Sequence, residues 1–318
     1  MKPIQWDGKQ IKKPGWYSGI PLEMYHSAKI CDGYAVSSSD LRTCWSKSAA
    51  HMYVKWAENP KREERKSTRS MILGAAAHHL LLGEDKFRFK FAAQPLTYRD
   101  KTTAREKPWH NGADYCKAWN AKQAGAGKVP VTQDELRAIV EMARSLALEP
   151  LVQEGLLRGY VETSGFVRDA ETGLWIKVRP DVVPTLTGDY VDLKTAADVT
   201  TVALQSSIRT YGYHQQGALI WEVVEQLNIR NGDAHPFESF VLMFIETDLP
   251  YCARTVPLVD DDLARGRLQN RAMLRKIASC LKSGRFPGPG EGDLRALPLA
   301  DAERERIDKR LEFEKVQV

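Results

Sequence analysis

Residues 174–194 decide the fold, and they read Leu-Trp-Ile-Lys-Val-Arg-Pro-Asp-Val-Val-Pro-Thr-Leu-Thr-Gly-Asp-Tyr-Val-Asp-Leu-Lys. The apolar run 174–178 predicts one strand, and the alternating run 190–194 predicts a second. Pro180 suits the end of a strand better than its middle. Residues 184–189 have turn chemistry. The stretch therefore predicts a β-hairpin with residues 174–178 and 190–194 as its two arms.

Two acids and a lysine occupy this predicted hairpin. Side chains alternate along a strand, so Asp192 and Lys194 are expected to point the same way. Asp181, at the end of the other arm, can then lie close to Asp192. Two adjacent carboxylates raise each other's pKa unless a cation lies between them, and Mg²⁺ or Mn²⁺ suits hard oxygen ligands. The pattern predicts a divalent metal site, and its alternative is an ordinary surface hairpin with solvated charges.

This combination of groups is typical of phosphodiester hydrolysis. Divalent ions generate hydroxide and neutralise the charge of the attacked phosphate. Lys194 can orient the attacking water, deprotonate it or hold the phosphate. Deprotonation requires a pKa well below the ordinary value of about 10.4, and a nearby metal charge favours that shift.

Composition limits the classes of protein to consider. The chain has 318 residues, 43% apolar content and a net charge of +5, so it can bury a large core and permits a nucleic-acid partner. Without a long apolar run or a signal-peptide core, it is expected to be cytoplasmic and to have no membrane partner. The five cysteines are scattered and include no Cys-x-x-Cys, so we expect reduced thiols and no iron–sulfur cluster.

The predicted organisation is an extended lead-in (1–35), one main domain (36–285) and a Pro/Gly-rich segment with a charged helix (286–318). Periodicity and capping residues predict the elements within these bounds. Helices are expected at about residues 41–56, 70–82, 112–123, 132–148, 202–209, 213–225, 260–283 and 301–314, and strands at about 160–168, 175–179, 190–194, 240–246 and 253–257. The order predicts an α/β fold with a mixed central sheet flanked by helices.

Further motifs occur in a fixed order around the hairpin. They are Val-Ser-Ser-Ser-Asp-Leu (36–41), Gly-Ala-Ala-Ala-His (74–78), Tyr-His-Gln-Gln-Gly-Ala (213–218), Phe-Pro-Gly (286–288) and Leu-Pro (297–298). Together with residues 179–181 and 192–195, this series resembles the PD-(D/E)xK nucleases of RecB type, and within them the exodeoxyribonuclease VIII (RecE-like) exonucleases. The resemblance covers about residues 36–298 and implies a restriction-endonuclease-like core. One departure is Ile220, where the family has an aromatic residue.

The resemblance implies an activity and partners. It indicates a Mg²⁺-dependent 5′–3′ exonuclease, also supported by Mn²⁺, that degrades linear double-stranded DNA and leaves 3′ single-stranded tails for recombination by strand annealing. It further implies a homo-oligomeric ring around DNA, a single-strand annealing protein as partner and a phage or prophage origin. The alternatives are a structure-specific or single-strand DNA nuclease and a catalytically inactive DNA-binding scaffold.

The resemblance also assigns metal ligands. His78, Asp181, Asp192 and the Leu193 carbonyl would hold the ion, and Lys194 would act on the attacking water. The alternative for His78 is a buried core histidine. His79 is expected on another face of the helix.

Two more polar residues have catalytic interpretations. Glu162, an acid before the hairpin, would bind a second ion or hold a metal-bound water, or it is a solvated acid at a strand edge. Gln216 would bond the DNA backbone or orient Lys194, or it is a polar residue on a helix surface.

Substrate contacts are predicted at the start of the domain and after the hairpin. Hydroxyl and guanidinium groups are good phosphate donors, so Ser39 and Arg42 are candidates for a 5′-phosphate pocket. Helix capping by Ser37 or Ser39 is the alternative. Tyr213, like Tyr211, is a candidate for stacking on bases, and its alternative is a core position.

Overall fold

The structure is a computed structural model that describes residues 2–62, 68–82, 84–232, 236–290 and 298–316. Leu297, in the last motif of the resemblance, lies outside these residues. The strands of the described ranges are β1 (Ile4–Gln5), β2 (Gly15–Ser18), β3 (Ala35–Ser37), β4 (Phe91–Ala93), β5 (Thr97–Arg99), β6 (Glu106–Pro108), β7 (Val129–Val131), β8 (Gly159–Val161), β9 (Ser164–Arg168), β10 (Trp175–Val178), β11 (Val182–Pro184), β12 (Asp189–Ala196), β13 (Ser239–Glu246) and β14 (Ala253–Pro257). The helices are α1 (Leu22–Tyr25), α2 (Ser38–Ser46), α3 (Ala49–Lys55), α4 (Arg69–Leu82), α5 (Glu84–Lys90), α6 (Asp114–Gly125), α7 (Gln133–Ala147), α8 (Pro150–Gln153), α9 (Thr201–Tyr211), α10 (Tyr213–Asn231), α11 (Asp260–Ser283) and α12 (Asp301–Val316).

Most strands belong to two five-stranded sheets. The N-terminal sheet has the order β1-β2-β9-β10-β3, and the site sheet has the order β14-β13-β12-β11-β8. In the site sheet, β12 runs parallel to β13 from Asp189 opposite Ser239 to Ala196 opposite Glu246, and antiparallel to β11. The predicted α/β class with mixed sheets flanked by helices is confirmed.

The predicted hairpin is wrong in its pairing, because its two arms lie in different sheets. Strand β10 pairs with β9 and β3, whereas β12 pairs with β11, with Val182 opposite Val191. Pro180 has no N–H with which to continue a ladder, and the chain leaves the N-terminal sheet at residues 179–181. The turn predicted at 184–189 therefore closes the β11–β12 pair.

The strand predicted at 160–168 also divides between the sheets. Strand β8 lies in the site sheet and β9 in the N-terminal sheet, and Glu162 stands at the join with a φ of 53°. The Glu162 N–H donates to the Asp181 carbonyl at 3.1 Å. The chain therefore passes between the two sheets at Glu162 and again at residues 179–181, and the two crossings are neighbours. Glu162 and Asp181 lie side by side as a result.

The site sheet is covered on both faces. Along β13, Phe240, Leu242 and Phe244 contact one core cluster, which includes α10 and α11. Val241, Met243 and Ile245 contact a second cluster, which includes α4 and α7. This alternation is the period-two pattern of a strand buried on both sides.

Helices before the sheets also differ in detail from the prediction. The helix expected at 41–56 is broken into α2 and α3, and Ser48 caps α3 by accepting from the His51 N–H at 3.2 Å. Residues of the predicted lead-in form β1 and β2, and β2 pairs with β9. Phe286, at the start of the predicted C-terminal segment, stacks on Tyr53 of α3 at 4.0 Å. None of the described helices combines the length and the apolar content that crossing a bilayer requires.

Candidate active site

Asp192, Lys194 and Gln216 are brought together on one face of the site sheet. Lys194 Nζ contacts Asp192 Oδ2 directly, as expected for residues two apart on a strand. The Gln216 side chain, from α10, donates from Nε2 to Asp192 Oδ1 at 2.7 Å. Asp192 is only 4% exposed, so both its oxygens are held by neighbours inside the protein.

Asp181 is positioned by backbone groups of the neighbouring strand. Its N–H donates to the Val191 carbonyl at 2.9 Å, and its Oδ2 accepts from the Leu193 N–H at 2.6 Å. Its Oδ1 lies 3.4 Å from His78 Nε2. Asp181 does lie close to the strand that carries Asp192, as predicted. It does so because it directly precedes β11, which pairs with β12, and not because residues 174–178 pair with that strand.

His78 reaches this site because α4 lies unusually close to β12. A Cβ atom built at Gly74, one turn before His78, would lie 2.5 Å from Thr195 Cγ2. Glycine permits this approach, in agreement with the small residues of the 74–78 motif. His78 Nε2 is buried and has no hydrogen-bond partner among the described residues. A buried ring nitrogen without a partner is costly unless it binds a ligand.

Glu162 lies in a group of basic side chains. Its Oε1 is 3.7 Å from Lys90 Nζ and 3.9 Å from His79 Nδ1, and its Oε2 is 3.7 Å from an Arg179 guanidinium nitrogen. Lys90 Nζ is also 3.0 Å from His79 Nε2. Sequence reasoning gave no role to Lys90 and set His79 aside. The adjacent histidines were a signal for His79, whereas nothing in the local sequence pointed to Lys90.

The donor set fits a hard divalent cation. Asp181 and Asp192 supply carboxylate oxygens, and His78 supplies a buried imidazole nitrogen that makes no hydrogen bond to the described residues. Mg²⁺ and Mn²⁺ accept such ligands. His78, His79 and Glu162 form a second grouping, in which one atom from each lies within 4.8 Å of the others. The cations beside Glu162 compete with a metal there, so the His78–Asp181–Asp192 side offers the better place for an ion.

The environment of Lys194 lowers the pKa of its amine. Burial lowers its pKa to about 8, the Asp181 carboxylate opposes that shift, and the Arg42 guanidinium adds to it. Its Nζ lies 5.1 Å from the centre of the Tyr213 ring. A lysine whose pKa is this low can accept a proton near neutral pH, which an ordinary surface lysine cannot.

The predicted substrate-binding residues lie in two different environments. Arg42 lies beside the site, with its guanidinium 6.0 Å from the Tyr213 ring centre. Ser39 is in the first turn of α2, where its hydroxyl lies 2.9 Å from that of Ser37. Ser37 forms a capping box with Asp40, so the capping alternative is present at Ser37. Tyr213 is buried but contacts both Arg42 and Lys194, and it is therefore core and site at once.

The fold and this constellation define the class of protein: it has a PD-(D/E)xK-type domain, as the resemblance predicted. The chain belongs to the family of PDDEXK-like domains of unknown function (DUF3799), whose profile matches residues 37–294. None of the curated proteins matches it.

Two solved structures are similar in fold. A protein from Eubacterium rectale, provisionally named an exonuclease, is 15% identical with a TM-score of 0.55, over 89% of this chain and 96% of that one. At this identity the likeness shows the fold alone. An alkaline exonuclease from Laribacter hongkongensis is 14% identical over 55% of this chain and 87% of that one, and its TM-score of 0.25 is too low to support an argument.

Proposed function

We propose that the protein is a Mg²⁺-dependent 5′–3′ exonuclease that degrades linear double-stranded DNA and leaves 3′ single-stranded tails. The observation that carries the proposal is Lys194, which contacts Asp192 and has a pKa lowered to about 8. A buried lysine next to a carboxylate pair serves water activation at a phosphodiester better than it serves stability.

Four residues are proposed to bind the metal ion. His78, Asp181, Asp192 and the Leu193 carbonyl would hold the ion, and Mn²⁺ is expected to replace Mg²⁺. When bound, the ion supplies charge neutralisation at the phosphate and acidifies the attacking water.

Proton transfer and orientation fall to the residues around the ion site. Lys194 Nζ, as a free amine, would accept the proton of the attacking water. Gln216 would keep the Asp192 carboxylate oriented through its 2.7 Å bond. Glu162, which lies beside Lys90 and Arg179, would hold a metal-bound water.

DNA is favoured as substrate by the cations at the site rim. Arg42 lies beside Tyr213, and Lys90 and Arg179 lie beside Glu162. Cations around a site attract the phosphate oxygens that supply much of the affinity of nucleic-acid complexes. Ser39 and Arg42 would bind the 5′-phosphate, and Tyr213 would support the nucleotide at the site.

The wider biology rests on the resemblance. This part of the proposal includes the 5′–3′ direction of digestion, the preference for duplex DNA and the role in recombination. It also includes the homo-oligomeric ring, the annealing protein as partner, the cytoplasmic location and a phage or prophage origin. The mild net charge of +5 is compatible with a ring, because assembly would concentrate basic residues around a channel.

The test is digestion of linear duplex DNA with Mg²⁺, labelled at either the 5′ or the 3′ end. A covalently closed circle, a chelator and the Lys194→Ala variant are the controls. Early release of 5′-labelled mononucleotide from linear DNA alone supports the proposal.

Each other outcome identifies an alternative. Cutting of the closed circle indicates an endonuclease. Degradation of single strands or branched DNA but not of blunt duplex indicates a nuclease with a different substrate. Retained DNA binding without cleavage of any substrate indicates an inactive scaffold and contradicts the proposal.

A further inference from the structure

Tyr211 continues a line of contacts that begins at the catalytic lysine. Lys194 Nζ lies 5.1 Å from the Tyr213 ring centre, and the Tyr213 ring stacks on that of Tyr211 at 5.6 Å with an interplanar angle of 29°. Tyr213 is 8% exposed, whereas Tyr211 is 58% exposed. The line therefore runs from the interior of the site to solvent and ends on an aromatic ring.

The backbone of Tyr211 is fixed on both sides. It is the last residue of α9, and Gly212 follows in the left-handed region with a φ of 62°. An Arg42 guanidinium nitrogen donates to the Tyr211 carbonyl at 2.7 Å. A Cβ at Gly212 would lie only 3.1 Å from Arg42 Cδ, so the arginine stem packs directly over this joint. An exposed ring on a fixed backbone loses little conformational entropy when it binds.

The chemistry around the ring suits a nucleotide. Arg42 provides positive charge for phosphate, and the exposed area of Tyr211 provides a π surface a short distance away. Stacking on aromatic rings tolerates any base sequence, because every base has a π face, and an exonuclease needs that tolerance. Position, exposure and charge thus point to one ligand, a base of the attacked strand.

We propose that Tyr211 binds the substrate by stacking on a nucleobase next to the scissile phosphodiester. This inference rests on the proposed nuclease function. The competing interpretation is that the Tyr211 ring only shields Tyr213 from solvent and so keeps Lys194 in place. The two interpretations differ in whether the effect of removing the ring depends on the base.

The experiment compares intact DNA with DNA that lacks single bases. Duplexes carry one tetrahydrofuran abasic residue at each of the first few positions of the attacked strand. KM and kcat are measured for the wild type, Tyr211→Ala, Tyr211→Phe and Tyr115→Ala. Tyr115 is a matched control, since it is 43% exposed and stacks on Tyr98 at 6.1 Å elsewhere on the chain. Equilibrium binding in a Lys194→Ala background provides a readout that is independent of activity.

Tyr211→Ala is expected to weaken binding of intact DNA and to raise KM by about tenfold, the size of one base–aromatic stack. Tyr211→Phe should retain wild-type values, and Tyr115→Ala should have no effect. In the wild type, one abasic position should cause the same tenfold loss, and at that position Tyr211→Ala should cause no further loss.

Other outcomes overturn the inference. If Tyr211→Ala lowers kcat equally on intact and abasic DNA, the ring only supports Lys194, and the proposed nuclease function stands. If Tyr211→Ala matches the wild type throughout, the ring does not touch the substrate. If the wild type neither binds nor cleaves DNA, the proposed function fails and the inference fails with it.

Discussion

Gly74→Ala is expected to reduce cleavage far more than it reduces stability. The added Cβ would lie 2.5 Å from Thr195 Cγ2, and ordinary contact begins at 3.4 Å. We expect α4 and β12 to separate by up to about 0.9 Å, the difference between these two distances. His78 lies one turn further along α4 on the same face. The imidazole is therefore expected to move away from Asp181 by a similar distance.

The two consequences differ in magnitude. Overpacking costs about 1–3 kcal/mol, and replacing a helical glycine by alanine returns about 1 kcal/mol. The free energy of unfolding should fall by no more than about 2 kcal/mol, or a few degrees in Tm. A displacement of about 1 Å in a catalytic constellation costs on the order of 100-fold in rate.

The assay measures the cleavage rate of linear duplex DNA as a function of Mg²⁺ concentration. Gly74→Ala should lower the maximal rate by about 100-fold and raise the metal concentration at half activity. Thr195→Ser in the same chain removes the clashing methyl group and leaves Oγ1 at 3.5 Å as the nearest atom. The double variant should therefore recover most of the lost rate.

Gly125→Ala is the matched control, because that helical glycine has no atom within 4 Å of an added Cβ. It should leave cleavage unchanged. Full activity in Gly74→Ala would refute the reasoning. So would a double variant as slow as Gly74→Ala, because the lost rate would then have a cause other than the Thr195 contact.

Lys194→Ala should abolish cleavage and leave metal-dependent DNA binding largely intact, whereas Asp192→Ala should lose metal affinity as well. Cleavage and fluorescence anisotropy over a Mg²⁺ titration separate the two, and wild-type activity in both variants would remove the proposed site. Gln216→Glu places a second carboxylate at the position now 2.7 Å from Asp192 Oδ1, so Tm should fall without metal and recover in excess Mn²⁺. A Tm that is indifferent to Mn²⁺ would contradict that arrangement. The pKa of Lys194 is lowered to about 8 by burial, and a bound cation lowers it further, so log kcat should rise with pH and level off at or below about pH 8. A rate that falls with rising pH over that range would exclude Lys194 as the base.

Local periodicity was sufficient to predict part of the site. Asp192 and Lys194 contact each other because residues two apart on a strand share a face. That relation is confined to three residues and needs no knowledge of the tertiary fold. The place of His78 at the site was implied only by the resemblance, because it depends on the tertiary approach of α4 to β12 at Gly74.

Strand pairing was not predictable in the same way. Pro180 was correctly interpreted as the end of a strand, but the change of sheet that follows depends on packing of the whole domain. The parallel partner of Asp189 is Ser239, and no local pattern specifies a pairing at that separation. The positive φ of Glu162 was not predictable from the sequence either, because that conformation is usually adopted by glycine or asparagine and not by glutamate.

The contacts of Glu162 show why its role was open from the sequence. Lys90 and Arg179 approach it from α5 and from the segment after β10, and His79 from α4. Three separate elements converge on one carboxylate, and each does so through tertiary packing. A single acid before a strand carries no sign of such neighbours.

Charge pairing at the site changes the expected role of the metal. Two bare carboxylates in contact would need a cation to coexist. Here Lys194 contacts Asp192, the Leu193 N–H donates to Asp181, and Lys90 and Arg179 lie beside Glu162. Each acid thus has a partner within the protein, so the fold does not depend on a metal to relieve their repulsion. An ion held by Asp192 would compete with Lys194 for the carboxylate, and Lys194 Nζ, once released from that contact, would be free to accept the proton of the attacking water.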